Sequence, residues 1–257
     1  MNALVTGGAG FIGSHLVDAL INEGYNVTVI DNLSSSTTEF VNKKAKFIHF
    51  DLKQDIPKEF LEDIETVFHF AADPNVKTSS KKTEEVFKNN VLATFNILEA
   101  CRKSNVKKFV FASTSAVYGI AKKFPTPEEH QLNPISNYGA SKVCGEVFCS
   151  SYSHSYGIRT IVLRLANIIG ERSLHGVIYD FFQKMRANKE ELLILGNGKQ
   201  KKSYLYISDC IEAILLASKI DSTFEVFNIG SEEQIEVNKI ANIVINALNL
   251  NPRIRYS

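Results

Sequence analysis

The chain has 257 residues, of which 44% are hydrophobic, so it is long and apolar enough to bury a full α/β core. Its 29 lysines and arginines almost balance its 28 aspartates and glutamates, which argues against binding nucleic acid or anionic lipid through a strong overall field. The sequence has no signal-like start and no apolar run long enough to cross a bilayer. We therefore expect a cytoplasmic protein that binds neither nucleic acid nor membrane.

The four cysteines lack the spacing of metal ligands, and each falls in a predicted helix. We interpret them as reduced packing residues and expect no metal site. They are Cys101, Cys144, Cys149 and Cys210.

Apolar residues alternate between strand and helix spacing from the start of the chain. A strand at Ala3–Val5 is followed by glycines and by a helix that Gly24 ends. A long helix at 84–104 precedes the fifth of six predicted strands, and the remaining strands fall at 26–30, 46–50, 66–70, 108–112 and 159–165. Parallel neighbours need a crossover, so these repeats predict an α/β fold with a doubly wound parallel sheet, the Rossmann architecture.

The pattern loosens after Asn167, with a helix near 179–187 and a turn at 196–198. We expect a Rossmann domain at 1–167 and a smaller, mixed substrate lobe at 168–257. Part of 204–230 is expected to return to the Rossmann domain.

The segment Gly7-Gly8-Ala9-Gly10-Phe11-Ile12-Gly13 lies between the first strand and the first helix. Glycines there permit a tight turn and let the backbone approach a pyrophosphate at the positive end of the helix. Asp31 ends the second strand, where a carboxylate accepts hydrogen bonds from a ribose and repels a 2′-phosphate, which favours NAD over NADP. Alternatively, Asp31 is an ordinary residue of a turn.

Tyr138 and Lys142 are one helical turn apart and share a face. A phenol with a pKa near ~10 is a poor base, but an ammonium and an oxidised nicotinamide both favour the phenolate. Tyr138 could then take a hydroxyl proton as hydride leaves the same carbon. The segment 113–115, Ser-Thr-Ser, follows the fifth strand, at the sheet edge where ligands bind, and a hydroxyl there could share that proton. Each feature alone has an ordinary explanation, a solvated pair or a turn, but coincidence explains their order poorly.

Eight segments together resemble the extended short-chain dehydrogenase/reductases, also called the NAD-dependent epimerase/dehydratase family. The resemblance covers nearly the whole chain. The segments are VTGGAGFIGSHLVDAL, VIDNLSS, FHFAADPNV, NNVLATFNILEAC, FVFASTSAVYG, NYGASK, LRLANIIG and KSYLYISD.

The resemblance implies roles for individual residues. It makes Tyr138 the catalytic base, Lys142 its partner and a ligand of the nicotinamide ribose, and Thr114 the hydroxyl that bridges to the sugar. The implied NAD contacts, besides Tyr138 and Lys142, are Gly7, Gly10, Phe11, Ile12, Gly13, Asp31, Asn32, Ser35, Asp51, Leu52, Phe70, Ala71, Ala72 and Asn90. The implied substrate contacts, besides Thr114, are Asn167, Val177 and Lys202. Lys202 is equally a solvated charge in a basic run.

Dehydratases and decarboxylases of this family follow the threonine with one or two carboxylates, whereas Ser115 and Ala116 follow Thr114 here. The segments LHGVIYDF and KSYLYISD look most like UDP-glucose 4-epimerases. The resemblance thus implies interconversion of UDP-glucose and UDP-galactose, as in galactose metabolism, by transient oxidation at carbon 4 with bound NAD, in a homodimer. The alternatives are a UDP-glucuronate or UDP-N-acetylglucosamine 4-epimerase, a sugar-nucleotide dehydratase or reductase, and a non-catalytic NAD-binding regulator.

The chain stops at Asn251–Ser257, whereas members of the family usually continue with a further segment that completes the sugar-nucleotide lobe. On the resemblance, some substrate contacts are therefore expected to be absent from this chain.

Overall fold

The computed structural model describes residues 1–76 and 79–257. The chain forms two compact units, one of Met1–Leu165 and Ser208–Ile229, the other of Ala166–Ile207 and Gly230–Ser257. Each unit has a hydrophobic core of its own.

The strands are β1 (Asn2–Thr6), β2 (Asn26–Asp31), β3 (Lys46–His49), β4 (Thr66–His69), β5 (Lys108–Thr114), β6 (Arg159–Leu165), β7 (Asn167–Ile169), β8 (Glu191–Ile194), β9 (Lys201–Tyr206), β10 (Phe224–Ile229), β11 (Gln234–Glu236) and β12 (Arg253–Tyr256). The α-helices are α1 (Phe11–Asn22), α2 (Thr83–Val86), α3 (Ala93–Arg102), α4 (Asn137–Tyr156), α5 (Val177–Ala187), α6 (Ile207–Ser218) and α7 (Val237–Ala247). All six predicted strands are present, and the β5 strand runs two residues further than predicted, to Thr114.

The first unit contains a seven-stranded sheet in the order β10-β6-β5-β4-β1-β2-β3. Every pair of neighbours in it is parallel. The strand order reverses beside β1, because β2 lies on one side of it and β4 on the other. A crevice forms at such a reversal, outside the carboxyl ends of the strands, and ligands bind there. The predicted fold class is confirmed, and the seventh strand, β10, was not predicted.

The predicted helix at 84–104 is found as α2 and α3 joined by a π-helical stretch at Phe87–Leu92. π-Helical turns are rare and are frequent at functional sites. Sequence periodicity did not indicate this one.

The second unit contains a three-stranded sheet in the order β11-β9-β7 and a pair of parallel strands, β12 and β8. Helices α5 and α7 pack on its core, where Phe181 and Met185 meet Ile240 and Val244. This unit is mixed, since β11 is antiparallel to β9 whereas β7 is parallel to it.

The cysteines lie in helices as predicted, and all four are free. Cys144 is exposed on α4, however, so its interpretation as a packing residue is wrong. Within residues 1–76 and 79–257, no cluster of histidine, cysteine and carboxylate side chains could hold a metal ion. The helices described in those ranges are all too short or too polar to cross a membrane.

Candidate active site

The glycine-rich turn after β1 leaves no room for side chains at two positions. Gly7 has a φ of +70°, and a Cβ there would lie 2.6 Å from the backbone nitrogen of Ala71. A Cβ on Gly13 would lie 2.2 Å from the carbonyl oxygen of Gly7, so α1 can begin this close to the turn only with glycine at 13. Gly10 precedes α1 without a side-chain capping bond. The positive end of α1 is therefore bordered by backbone, as pyrophosphate binding requires.

Asp31 is buried at the end of β2. One carboxylate oxygen accepts a hydrogen bond from the Ala9 N–H at 3.1 Å, and the other accepts from the Leu33 N–H at 2.8 Å and the Ser36 hydroxyl at 2.9 Å. The carboxylate thus fixes the end of β2 against the glycine turn. A carboxylate has about four lone-pair sites, so this structural role leaves capacity for a ribose hydroxyl.

The residues after β4 are bonded to the end of β1. The Phe70 N–H donates to the Thr6 carbonyl at 3.1 Å, and the Ala71 N–H donates to the Thr6 hydroxyl at 3.3 Å. Phe70, Ala71 and Ala72 therefore follow their strand along the same sheet edge as the glycine turn.

Asn90 lies in the π-helical stretch and is buried. Its amide oxygen accepts from the Asp73 N–H at 2.7 Å, and its amide nitrogen donates to the Asp73 carbonyl at 3.2 Å and to the Ser141 hydroxyl at 2.9 Å. The Ser141 hydroxyl donates in turn to the Tyr138 carbonyl at 2.7 Å. Asn90 therefore connects the loop after β4 to the helix of the Tyr-Lys pair. Asp73 and Ser141 were not predicted as site residues.

The other predicted cofactor residues follow strands at the same edge or open α1. Asn32 accepts from the Ser34 N–H at 3.1 Å, and Asp51 forms an ion pair with Lys53 at 3.2 Å. Leu52 is buried in the core of the first unit. The remaining members are Phe11 and Ile12, the first two residues of α1, and Ser35, which is exposed.

Two glycines let α4 approach the end of β5. A Cβ on Gly139 would lie 2.8 Å from the carbonyl oxygen of Ala116, and one on Gly145 would lie 2.4 Å from the ring of Phe111. Ser136 caps the helix by accepting a hydrogen bond from the Gly139 N–H at 3.1 Å. This close packing brings the Tyr-Lys pair to the β5 carboxyl end.

Thr114, Tyr138 and Lys142 are brought together there. The Thr114 side chain acts on the Tyr138 phenol and favours its ionised form. Lys142 is only 3% exposed, and its ammonium donates to the Ala112 carbonyl at 2.8 Å. It also lies 4.9 Å from the ring centre of Phe111.

The ionisation of Tyr138 differs from the sequence expectation. Burial raises the pKa of Tyr138 to about 12, although the Thr114 side chain lowers it, and the Asp73 carboxylate adds to the rise. Burial also lowers the pKa of Lys142 to about 8, although Glu146 acts in the opposite direction. The expected lowering of the tyrosine pKa by the ammonium is therefore not found in the chain by itself, because desolvation of the phenol is the largest effect.

Ser113 does not share a proton with Tyr138, contrary to one reading of the Ser-Thr-Ser segment. It lies inside β5, and its hydroxyl donates to the buried carboxylate of Glu146. Glu146 is paired with the buried guanidinium of Arg164 at 2.7 Å. Successive strand residues face opposite sides, so the hydroxyl beside Tyr138 comes from Thr114. Glu146 and Arg164 were missed, although an arginine in the apolar run of β6 was a signal of a buried pair.

The predicted substrate residues all lie in the second unit, apart from Thr114. The Asn167 amide on β7 donates to the Ser203 carbonyl at 2.9 Å. Val177 opens α5 and packs against the core of that unit. Lys202 is exposed on β9, the strand that neighbours β7.

The fold and the first unit's site define a dinucleotide-dependent enzyme of the Rossmann class. The residues fit NAD, because the turn between β1 and α1 excludes side chains and a buried carboxylate ends β2. The sequence model of the NAD dependent epimerase/dehydratase family matches residues 3–230. The chain belongs to this family, and the proteins that it matches include UDP-glucose 4-epimerases, a trifunctional enzyme with UDP-glucose 4,6-dehydratase activity and a UDP-sugar decarboxylase. NAD is the cofactor, as predicted.

Three solved structures illustrate the likeness. A UDP-galactose 4-epimerase is 47% identical with a TM-score of 0.93, over 100% of this chain and 86% of that one. The UDP-glucose 4-epimerase of Thermotoga maritima, solved with UDP-glucose, is 38% identical with a TM-score of 0.94, over 100% and 85%. The UDP-glucuronic acid 4-epimerase of Bacillus cereus, solved with UDP-glucuronic acid and NAD, is 32% identical with a TM-score of 0.92, over 100% and 86%. These neighbours share the fold, and two of them were solved with different UDP-sugars.

Proposed function

We propose that the protein is a nucleotide-sugar 4-epimerase that interconverts UDP-glucose and UDP-galactose. The observation that carries the proposal is the placement of Tyr138 and the buried Lys142 one turn apart on α4, with Thr114 at the end of β5 acting on the Tyr138 phenol. The two residues after Thr114, Ser115 and Ala116, supply no carboxylate for the removal of water. The higher identity to the UDP-galactose epimerase than to the UDP-glucuronic acid epimerase supports the choice of sugar.

In the proposed cofactor site, backbone groups would contact the phosphates and a carboxylate would contact a ribose. Gly7, Gly10 and Gly13 would hold the pyrophosphate, Asp31 the adenosine ribose, and Asp51 with the adjoining leucine the adenine. When bound, NAD supplies a hydride acceptor for carbon 4 of the sugar and the hydride that is returned to it.

The protein's own part is to move one proton and to hold the sugar. Tyr138 takes the proton of the sugar 4-hydroxyl during oxidation and gives it back after the 4-keto sugar has rotated to present its other face. The Thr114 side chain favours the phenolate of Tyr138, and its hydroxyl oxygen can accept a hydrogen bond from the sugar. The Lys142 ammonium is held by the Ala112 carbonyl. Together with the positive charge of an oxidised nicotinamide, its charge would favour the phenolate of Tyr138.

The second unit supplies the proposed contacts to the nucleotide. Lys202 carries an exposed ammonium that suits a diphosphate, and Asn167 and Val177 are the further proposed contacts. A single exposed lysine contributes modestly, because solvent screens its charge.

Proton NMR of the protein with UDP-galactose in deuterated water tests the proposal, with UDP-glucuronate and UDP-N-acetylgalactosamine in parallel. We expect UDP-glucose and UDP-galactose to reach the same mixture from either side, without net NADH. Carbon 4 gains no deuterium, since hydride does not exchange with solvent. A product lighter by one water, carbon-bound deuterium, or turnover of another sugar alone would overturn the assignment.

A further inference from the structure

A chain of hydrogen bonds crosses three elements beneath the end of β4. His69, the last residue of β4, lies with Nδ1 2.7 Å from the hydroxyl oxygen of Thr6 at the end of β1. Its Nε2 lies 2.9 Å from the hydroxyl oxygen of Thr94 on α3. The three side chains are at most 1% exposed. Water therefore does not compete for these bonds.

The direction of the bond to Thr94 follows from counting protons. The Thr94 hydroxyl has one proton, and it donates to the Asn90 carbonyl at 2.5 Å. Its oxygen is left to accept, and the group facing it is His69 Nε2. Nε2 must therefore carry a proton.

The other ring nitrogen is the acceptor. The Thr6 oxygen accepts from the Ala71 N–H at 3.3 Å, so its own proton is available to Nδ1. Burial lowers the pKa of His69 to about 3, and the charge of Lys142 acts in the same direction. The ring, which packs against Phe109 and Phe111, is thus neutral. The chain runs from the Ala71 N–H through Thr6, His69 and Thr94 to the Asn90 carbonyl.

We infer that His69, neutral and protonated on Nε2, is a positioning residue for the cofactor site, holding the Asn90 carbonyl through Thr94 and the Ala71 amide through Thr6. Asn90 matters because it sits in the π-helical stretch and its side chain holds both Asp73 and Ser141. A displaced Asn90 releases these contacts together. The inference rests on the proposed roles of Ala71 and Asn90 toward NAD.

Nitrogen-15 NMR of the protein labelled at histidine tests the tautomer directly, without any activity assay. The signal of His69 is assigned as the one of six that the His69→Gln variant lacks. We expect a protonated Nε2 and an unprotonated Nδ1, unchanged from about pH 5 to about pH 8, where an ordinary histidine titrates. A proton on Nδ1, or an imidazolium in that range, would overturn the inference whatever the enzyme does.

A pair of variants at position 94 tests the positioning. Thr94→Ser keeps the hydroxyl and should bind NAD within about twofold of the wild type, whereas Thr94→Val should bind NAD about tenfold more weakly, as expected for one lost buried hydrogen bond. Ile97→Val on the same helix is the control for stability alone, because it trims a buried apolar side chain that makes none of these hydrogen bonds. Equal NAD affinity of Thr94→Val and Ile97→Val would reduce His69 to a structural residue.

The outcomes separate this inference from the proposed function. Protein that binds NAD with the expected tautomer but turns over no UDP-sugar refutes the epimerase assignment and leaves the role of His69 standing. Epimerase activity with the opposite tautomer does the reverse. If Thr94→Val fails to fold, the tautomer of the wild-type protein still decides.

Discussion

The two units differ in how firmly the chain itself holds their proposed functional groups. In the first unit, the functional groups already have partners: Asp31 accepts three hydrogen bonds, and the ammonium of Lys142 is buried against a carbonyl. In the second unit, Lys202 is exposed, and Asn167 donates one bond to a neighbouring strand. Preorganised groups lose little freedom when a ligand binds, so we expect the first unit to dominate catalysis and the second to tune affinity.

The largest effect is expected from Tyr138→Phe, which removes the proposed acid/base group. Turnover should fall by a factor on the order of a hundred to ten thousand while NAD affinity stays nearly unchanged. Initial rates on UDP-galactose and titration with NAD measure the two quantities. Tyr156→Phe removes an exposed phenol from the last turn of the same helix and should retain wild-type turnover. Retention of more than about half of the activity by Tyr138→Phe would mean that the base lies elsewhere.

Gly13→Ala tests whether backbone packing sets the cofactor site. The added Cβ would lie 2.2 Å from the Gly7 carbonyl oxygen, whereas the Cβ of Gly10→Ala would lie at 3.2 Å from it. We expect Gly13→Ala to lower the free energy of unfolding by about 1–3 kcal/mol, the usual cost of overpacking. Gly10→Ala should cost less. Urea denaturation without NAD measures both, and equal values would show that the turn adapts more readily than its contacts indicate.

Lys202→Ala tests the proposed substrate contacts of the second unit. Removal of an exposed charge should raise KM for the UDP-sugar by about twofold to fivefold and leave kcat unchanged, because a screened ion pair contributes at most about 1 kcal/mol. Lys201→Ala is the matched control, since neighbouring strand residues face opposite sides of the sheet. A similar rise in KM for both variants would favour a general basic run over a specific contact.

Asp73→Asn should have the smallest effect. It tests how a nearby carboxylate changes the pKa of Tyr138. The Asp73 carboxylate raises the pKa of Tyr138, because it repels the phenolate. Its removal should lower that pKa, so a rate that needs the phenolate should appear at lower pH than in the wild type. The acidic limb of kcat/KM against pH measures the shift. Asparagine keeps the oxygen that accepts from the Asn75 N–H, and a shift to higher pH would contradict the sign.

Local spacing was sufficient for much of the first unit. Glycines between a strand and a helix, an aspartate at a strand end, and Tyr138 one turn from Lys142 are patterns within a few residues, and the structure places each on its expected element. Parallel strands then bring their carboxyl ends to one edge without further information. The sequence by itself therefore determined the fold class and the cofactor.

Tertiary contacts decided the rest. No local pattern indicated that Ser113 would donate a hydrogen bond to Glu146, 33 positions away. Nor did one indicate that His69 would lie between Thr6 and Thr94. The π-helical stretch and the raised pKa of Tyr138 have the same origin, because both depend on what packs around a residue rather than on its neighbours in sequence. Burial and hydrogen-bond direction are properties of the folded chain, since they arise only when distant segments exclude water together.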